Sequence, residues 1–170
     1  MILAIDPGNL ESAYVVVKDD LSAVVDKGKI ENGRLLRKIQ DEFIHLPLVS
    51  AAIEMIASYG MPVGKEVFET CLWIGRFWEA IARDLQLDPI KIYRKDEKLC
   101  ICNSPKAKDS NIRQALIDRF GPVGVKKKPG YFYGFKADMW AAMAVAVTYH
   151  DIHLADESPF PDATKKACEA

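Results

Sequence analysis

Residues 2–6 (ILAID) and 13–17 (AYVVV) are short apolar, β-branched runs on either side of a PGNLES turn, and residues 22–31 carry a third such run with a bend near Gly28. They predict a meander of three strands. After Asn32 and Gly33 the period lengthens: Leu35, Leu36, Ile39, Phe43 and Ile44 of RLLRKIQDEFIHL fall on one side of a helix that Pro47 closes. LVSAAIEM (48–55) is apolar at nearly every position, the pattern of a central strand buried on both faces. A long helix from about Lys65 to Leu85 follows, with Val67, Cys71, Ile74, Trp78, Ile81 and Leu85 in one stripe. Phe68 and Leu72 on one flank, with Trp73 and Phe77 on the other, widen the apolar arc beyond what one sheet face covers. Another helix or a second subunit is expected over the excess. PIKIY (89–93) predicts a fifth strand and SNIRQALIDRF (110–120) an amphipathic helix stopped by Gly121 and Pro122. KADMWAAMAVAVTYHD (136–151) predicts a last helix, apolar nearly all round and rich in the alanine that lets a helix lie close to a sheet.

Composition narrows the class. A chain of 170 residues suits one domain with a full core, expected over residues 1–151, and the aperiodic, acidic, proline-containing segment 152–170 is expected to be a poorly ordered tail. With 49% hydrophobic and 28% charged residues and no apolar run long enough to span a bilayer, a membrane protein is excluded. The start lacks a basic leader and a small-residue cleavage site, so a cytoplasmic protein is expected. Cys71, Cys100, Cys102 and Cys168 have neither zinc-site spacing nor the density of a disulfide scaffold, and read as reduced thiols.

The net charge of −1 conceals a division. Residues 91–136 hold twelve Lys and Arg against four Asp and Glu, leaving eleven basic and twenty acidic residues elsewhere. Such a segment is either a solvated face or a surface for a phosphate backbone.

Three acids interrupt apolar segments: Asp6 ends the first strand, Glu54 lies near the end of the fourth, and Asp138 opens the last helix. Each alone reads as a turn cap or a partner for a lysine. Together they have another meaning, because adjacent first and fourth strands would bring Asp6 and Glu54 to one sheet end and a crossing helix could add Asp138. Three packed carboxylates repel, and a divalent cation reverses that balance. Oxygen-only ligands favour magnesium or manganese over zinc.

ILAIDPG, AAIEM and DMWAAMAVAVTYH, in that order from residue 2 to about 151, resemble the RuvC Holliday junction resolvases of the RNase H-like superfamily, particularly the divergent versions of phages and prophages of Gram-positive bacteria. The resemblance implies an α/β, RNase H-like fold with a mixed five-stranded sheet, a three-stranded antiparallel meander plus two parallel strands, flanked by helices. It implies a bacterial host cell and a phage- or prophage-encoded chain. It also implies an endodeoxyribonuclease of the crossover-junction type. Asp6, Glu54 and Asp138 match acids that hold two Mg²⁺ ions per active site, with Mn²⁺ able to substitute. The metals serve in-line hydrolysis that leaves a 5′-phosphate and a 3′-hydroxyl. The family carries a fourth acid one helical turn after the position of Asp138, and here that position is Ala141.

The same resemblance gives the cationic segment a role. Lys106 and Lys108 fall where the family places catalytic or DNA-contacting lysines, and Lys126, Lys127 and Lys128 form a loop suited to a DNA backbone. Tyr59 or Met61, after Glu54, stand where the family inserts a wedge between bases. A four-way junction needs two paired nicks, which a homodimer delivers, and Phe68, Leu72, Trp73 or Phe77 offer its interface. Two further readings stay open: a junction-binding protein with weak or no cleavage because of Ala141, and an RNase H-like nuclease acting on RNA:DNA hybrids or another substrate.

Overall fold

In the computed structural model, which describes residues 1–58, 60 and 62–155, five strands form one mixed sheet in the order β3-β2-β1-β4-β5. β1 (Ile2–Asp6), β2 (Glu11–Val17) and β3 (Val24–Glu31) make the antiparallel meander. β4 (Ser50–Met55) joins the free edge of β1 in parallel, and β5 (Ile90–Tyr93) pairs in parallel with β4. This is the mixed sheet that the residue pattern and the resemblance implied.

Strand alternation sorts the side chains into two cores. Leu3, Ile5, Tyr14, Val16, Ala51 and Ile53 face α1 (Asn32–Asp41), its 3-10 extension Phe43–His45, and α2 (Lys65–Ala80), which a π-turn continues to Leu85. Ile2, Ala4, Ala13, Val15, Val17 and Ala52 face the other way, toward α5 (Met139–Tyr149). Ala142, Ala144 and Ala146 are fully buried there, and their small side chains let the α5 backbone lie close to the central strands. α3 (Arg94–Cys102) and α4 (Asp109–Phe120) complete this second face, and the small hairpin β6 (Gly124–Val125) and β7 (Lys128–Pro129) follows α4. Among the described residues no helix is long and apolar enough to cross a membrane.

The differences from expectation are local. The irregularity of the meander lies between Val16 and Val17, opposite Asp26 and Val24, while Gly28 stays in register with Tyr14. A Cβ at Gly28 would come within 2.8 Å of the Tyr14 ring, so this glycine makes room and does not bend the strand. Ile44 is exposed, because the helix ends at Asp41 and the 3-10 turn buries only Phe43. On α2 the buried line runs through Thr70, Ile74, Phe77 and Ala80, leaving Cys71 exposed. Phe77 is therefore removed from any intermolecular face: its ring lies in the chain's own core, against Trp73 with centroids 5.8 Å apart. Phe68 and Leu72 remain 62% and 71% exposed, with Trp73 half-buried beside them. The final helix begins at Met139, after a turn at 136–138, and runs on through a π-turn to Leu154, past the domain end expected at 151. The rest of the expected tail, 156–170, lies outside the described residues, as do Tyr59 and Met61.

The turn after β1 is held rigidly. Buried Asn32, at the start of α1, accepts from Ser12 Oγ at 2.6 Å and donates from Nδ2 to the Gly8 carbonyl at 2.8 Å, while Gly8 N–H donates to Ser12 Oγ at 3.2 Å. Only glycine fits at position 8, since a Cβ there would sit 2.3 Å from the Glu11 carbonyl oxygen. Asn32→Ala strands the Ser12 hydroxyl and the Gly8 carbonyl, and is expected to cost about 1–3 kcal/mol in urea unfolding. A loss below about 0.5 kcal/mol would show that the turn holds without this side chain.

Candidate metal site

The register of the sheet builds one row of residues across four strands. Lys29 on β3 pairs with Ala13 on β2, and Ala13 pairs with Asp6 on β1. The last β1–β4 pair is Ile5 with Ile53, so Asp6 and Glu54 are the next residues on each strand. Alternation turns Asp6 and Glu54 to the α5 face, with Ala4 and Ala52 below them. The two carboxyl groups lie close enough that the charge of Glu54 bears directly on Asp6.

Asp138 reaches this face from the position just before α5. It accepts no capping hydrogen bond from its own helix, and its carboxylate instead meets Lys29 Nζ at 2.6 Å. Ala13, small and between Lys29 and Asp6 in the row, leaves the lysine a clear path over the sheet. The residue before it, Ala137, sits at φ +41°, a left-handed conformation that costs a non-glycine residue of the order of 1 kcal/mol. The strained backbone delivers Asp138, and an aromatic cluster braces it: Phe132 packs against Tyr131, Phe135 and Trp140 with ring centroids 4.8–5.2 Å apart.

Two residues not singled out from the sequence complete the electrostatics. Glu97 on α3 is fully buried; one oxygen is paired with Arg94 and the other, Oε1, has no hydrogen-bond partner. Arg94 also reaches Asp109 at the start of α4, at 2.5 Å, tying α3 to α4 behind Glu54. Burial, then the Glu54 carboxylate, raises Asp6 to about 9. Burial also raises Glu54, against the opposing pull of Arg94. Glu97 rises through burial and the nearby Glu54. Five carboxylates, Asp6, Glu54, Glu97, Asp109 and Asp138, thus share this end of the sheet with two cations, Arg94 and Lys29.

The donor chemistry fits a hard divalent cation: every candidate ligand is oxygen, a buried carboxylate oxygen is left without a partner, and burial with the neighbouring Glu54 carboxylate raises Asp6. As they stand, no three His, Cys, Asp or Glu side chains among the described residues are arranged around a common ion, and Asp138 is engaged by Lys29. The lysine-pairing reading of an isolated acid therefore applies to Asp138, although the partner lies in the same row as Asp6.

The expected DNA-contacting lysines divide. Lys106 and Lys108 are exposed just before α4, and Lys108 adjoins the Asp109 that Arg94 holds. Lys126 and Lys127 form the tip of the β6–β7 hairpin and Lys128 opens β7, all exposed. His150 is half-buried against Asp151, with Nδ1 2.8 Å from the carboxylate.

No protein-family model and no curated protein matches the sequence. Solved structures do match the fold. The Thermus thermophilus RuvC structure superimposes with a TM-score of 0.66 at 13% identity, over 87% of this chain and 92% of that one. T. thermophilus RuvC in complex with Holliday junction substrate gives a TM-score of 0.66 at 16% identity, over 88% and 92%. The chain has a RuvC-like fold.

An acid whose pKa is raised on folding keeps a proton that the unfolded chain has lost, so it favours folding less as pH rises. For Asp6 the window runs from about pH 4, its unfolded value, to about 9. In chelator, the wild type is expected to lose more thermal stability between pH 5 and pH 8 than Asp6→Asn does, and Asp6→Asn is expected to be the more stable at pH 8. Parallel pH profiles for the two proteins would overturn the raised Asp6.

Proposed function

We propose that this protein is a divalent-metal-dependent endonuclease that resolves four-way and other branched DNA junctions. The observation that carries the reading is the Lys29–Ala13–Asp6–Glu54 row on the face where Asp138 descends, within a RuvC-like fold. Asp6, Glu54 and Asp138 hold Mg²⁺ or Mn²⁺, two ions per site. Bound there, such ions supply Lewis-acid activation of water and charge neutralisation at a scissile phosphodiester.

The chain's own residues prepare that chemistry. β1 and β4 fix two carboxylates on rigid, buried strands, and the Asn32-locked turn keeps the end of β1 from fraying. Partial burial desolvates the Asp6–Glu54 pair, so a cation is met by concentrated, poorly solvated negative charge. Lys29 holds Asp138 until a cation competes for it. Arg94 keeps Glu54 from being fully neutralised and anchors Glu97. Lys106, Lys108 and Lys126–Lys128 contact the DNA backbone, and Tyr59 serves as the base wedge. A homodimer formed through Phe68, Leu72 and Trp73 delivers two nicks to one junction, and the phage- or prophage-like origin belongs to the same reading.

The absence of an acid at Ala141 favours one alternative, a junction-binding protein with little cleavage. A cleavage assay on labelled synthetic four-way junctions, with linear duplex and RNA:DNA hybrid alongside, separates the readings. Paired nicks in Mg²⁺ or Mn²⁺ are expected, and Asp6→Asn should lower the rate by about 100-fold or more while leaving junction binding intact. Junction binding with no product in either metal, and cleavage gained in Ala141→Asp, would establish the binding-only reading. Preferential cleavage of the hybrid would make the protein an RNase H-like nuclease of another specificity, and no binding or hydrolysis of any nucleic acid would end all three.

A further inference from the structure

A depression of about 660 Å³ opens between the N-terminal half of α4 and the segment that leads into α5. Its walls include Arg113, Gln114, Phe135, Lys136, Ala137 and Trp140. It begins beside the acids, since Ala137 is the residue before Asp138 and Asp109, also in its wall, is the partner of Arg94.

The charge of this groove is one-sided. Asp109 is held by Arg94. Arg113 is exposed and lies over the Trp140 ring, 4.7 Å from its centroid; neither it nor exposed Lys136 forms an ion pair among the described residues. A guanidinium parked on an aromatic face keeps its N–H donors for another acceptor at its edge. The floor is apolar and largely buried: Trp140 lies under Arg113, and Phe135 carries Lys27 over its ring at 5.3 Å. Cations spaced along a trough with an apolar floor suit a polymer whose phosphates alternate with flat, apolar-faced rings.

We propose that this groove is the track along which one strand of the nucleic acid leaves the acids, its phosphates met by Arg113 and Lys136. The inference rests on the nuclease reading and names, within the cationic segment 91–136, two contact residues that no motif or lysine run picks out individually. Gln114 supplies an uncharged hydrogen-bonding group on the same wall, and Ala137 carries the backbone from the groove into Asp138. An acidic peptide would answer to the same charges, but the continuity of the groove with the proposed hydrolytic site favours the strand being cut.

The test is the salt dependence of binding, measured in chelator so that no cleavage contributes. Wild type, Arg113→Gln, Lys136→Gln, the double variant and Arg113→Lys are titrated with a labelled four-way junction and a single-stranded oligonucleotide from 50 to 300 mM salt. Each lost phosphate contact should flatten the slope of log K against log salt by about 0.7–0.9, so the double variant should lose about 1.4–1.8. Arg113→Lys, which keeps the charge, should retain most of the slope and also guards against a folding defect in the glutamine variant. Arg37→Gln removes an exposed cation from α1, on the opposite side of the sheet, and should leave the slope unchanged. An unchanged slope in the double variant, with wild type binding normally, overturns the groove assignment alone. An equal loss in Arg37→Gln overturns it too, by making the effect one of net charge. Failure of the wild type to bind either DNA overturns the nuclease reading, and this inference with it.

Discussion

Parallel, in-register pairing of β1 with β4 is the constraint from which the site follows. It sets Asp6 and Glu54 on neighbouring strands at one level and, by alternation, on one face. Two carboxylates so placed repel and lose solvation together, a cost that a mere structural role would not select. The rest of the sheet offsets it: residues 2–5, 13–17 and 51–53 are almost wholly buried between helices on both sides. Stability is gathered in the apolar length of the strands and given up at their ends. The cations arrive from elsewhere, Lys29 from the far strand of the meander and Arg94 from the helix after β5.

Much of this was legible in the chain. The continuous apolar runs ILAID, AYVVV and SAAIEM are direct imprints of strands buried on both faces, and they put Asp6 and Glu54 at or near strand ends. What was not legible depends on tertiary partners. Glu97 looks like one more solvated charge in RKDEKLCIC; it is buried on a helix that packs against α5, with Arg94 three residues earlier as its ion-pair partner. Lys29 is an ordinary polar position on a half-exposed strand until the register sets it in the row of Asp6. On α2 the apolar arc is so wide that several phases satisfy it, and the packing of α1 chose the one that buries Phe77. The resemblance placed a gap at Ala141 but gave no hint of the buried carboxylate on α3.

The segment from Phe132 to Trp140 joins site and groove. Its rings pin the chain to the core, Lys27 lies over Phe135 at 5.3 Å, and the left-handed Ala137 turns the backbone sharply into α5. One short stretch thus provides a wall for the groove and the third acid, so a shift in either is mechanically felt by the other. A single anchoring cluster also explains how an exposed carboxylate can be aimed reproducibly from a turn and not from a strand.

The sheet divides the molecule into two cores that share strands but no helices. One contains the acids, the groove and α5; the other contains α1, α2 and the exposed Phe68 and Leu72. The partition gives the two sides separate evolutionary freedom. The exposed face of α2 can drift, or be redesigned, while the acid-bearing face keeps its residues, and only substitutions in the strands themselves are answerable to both.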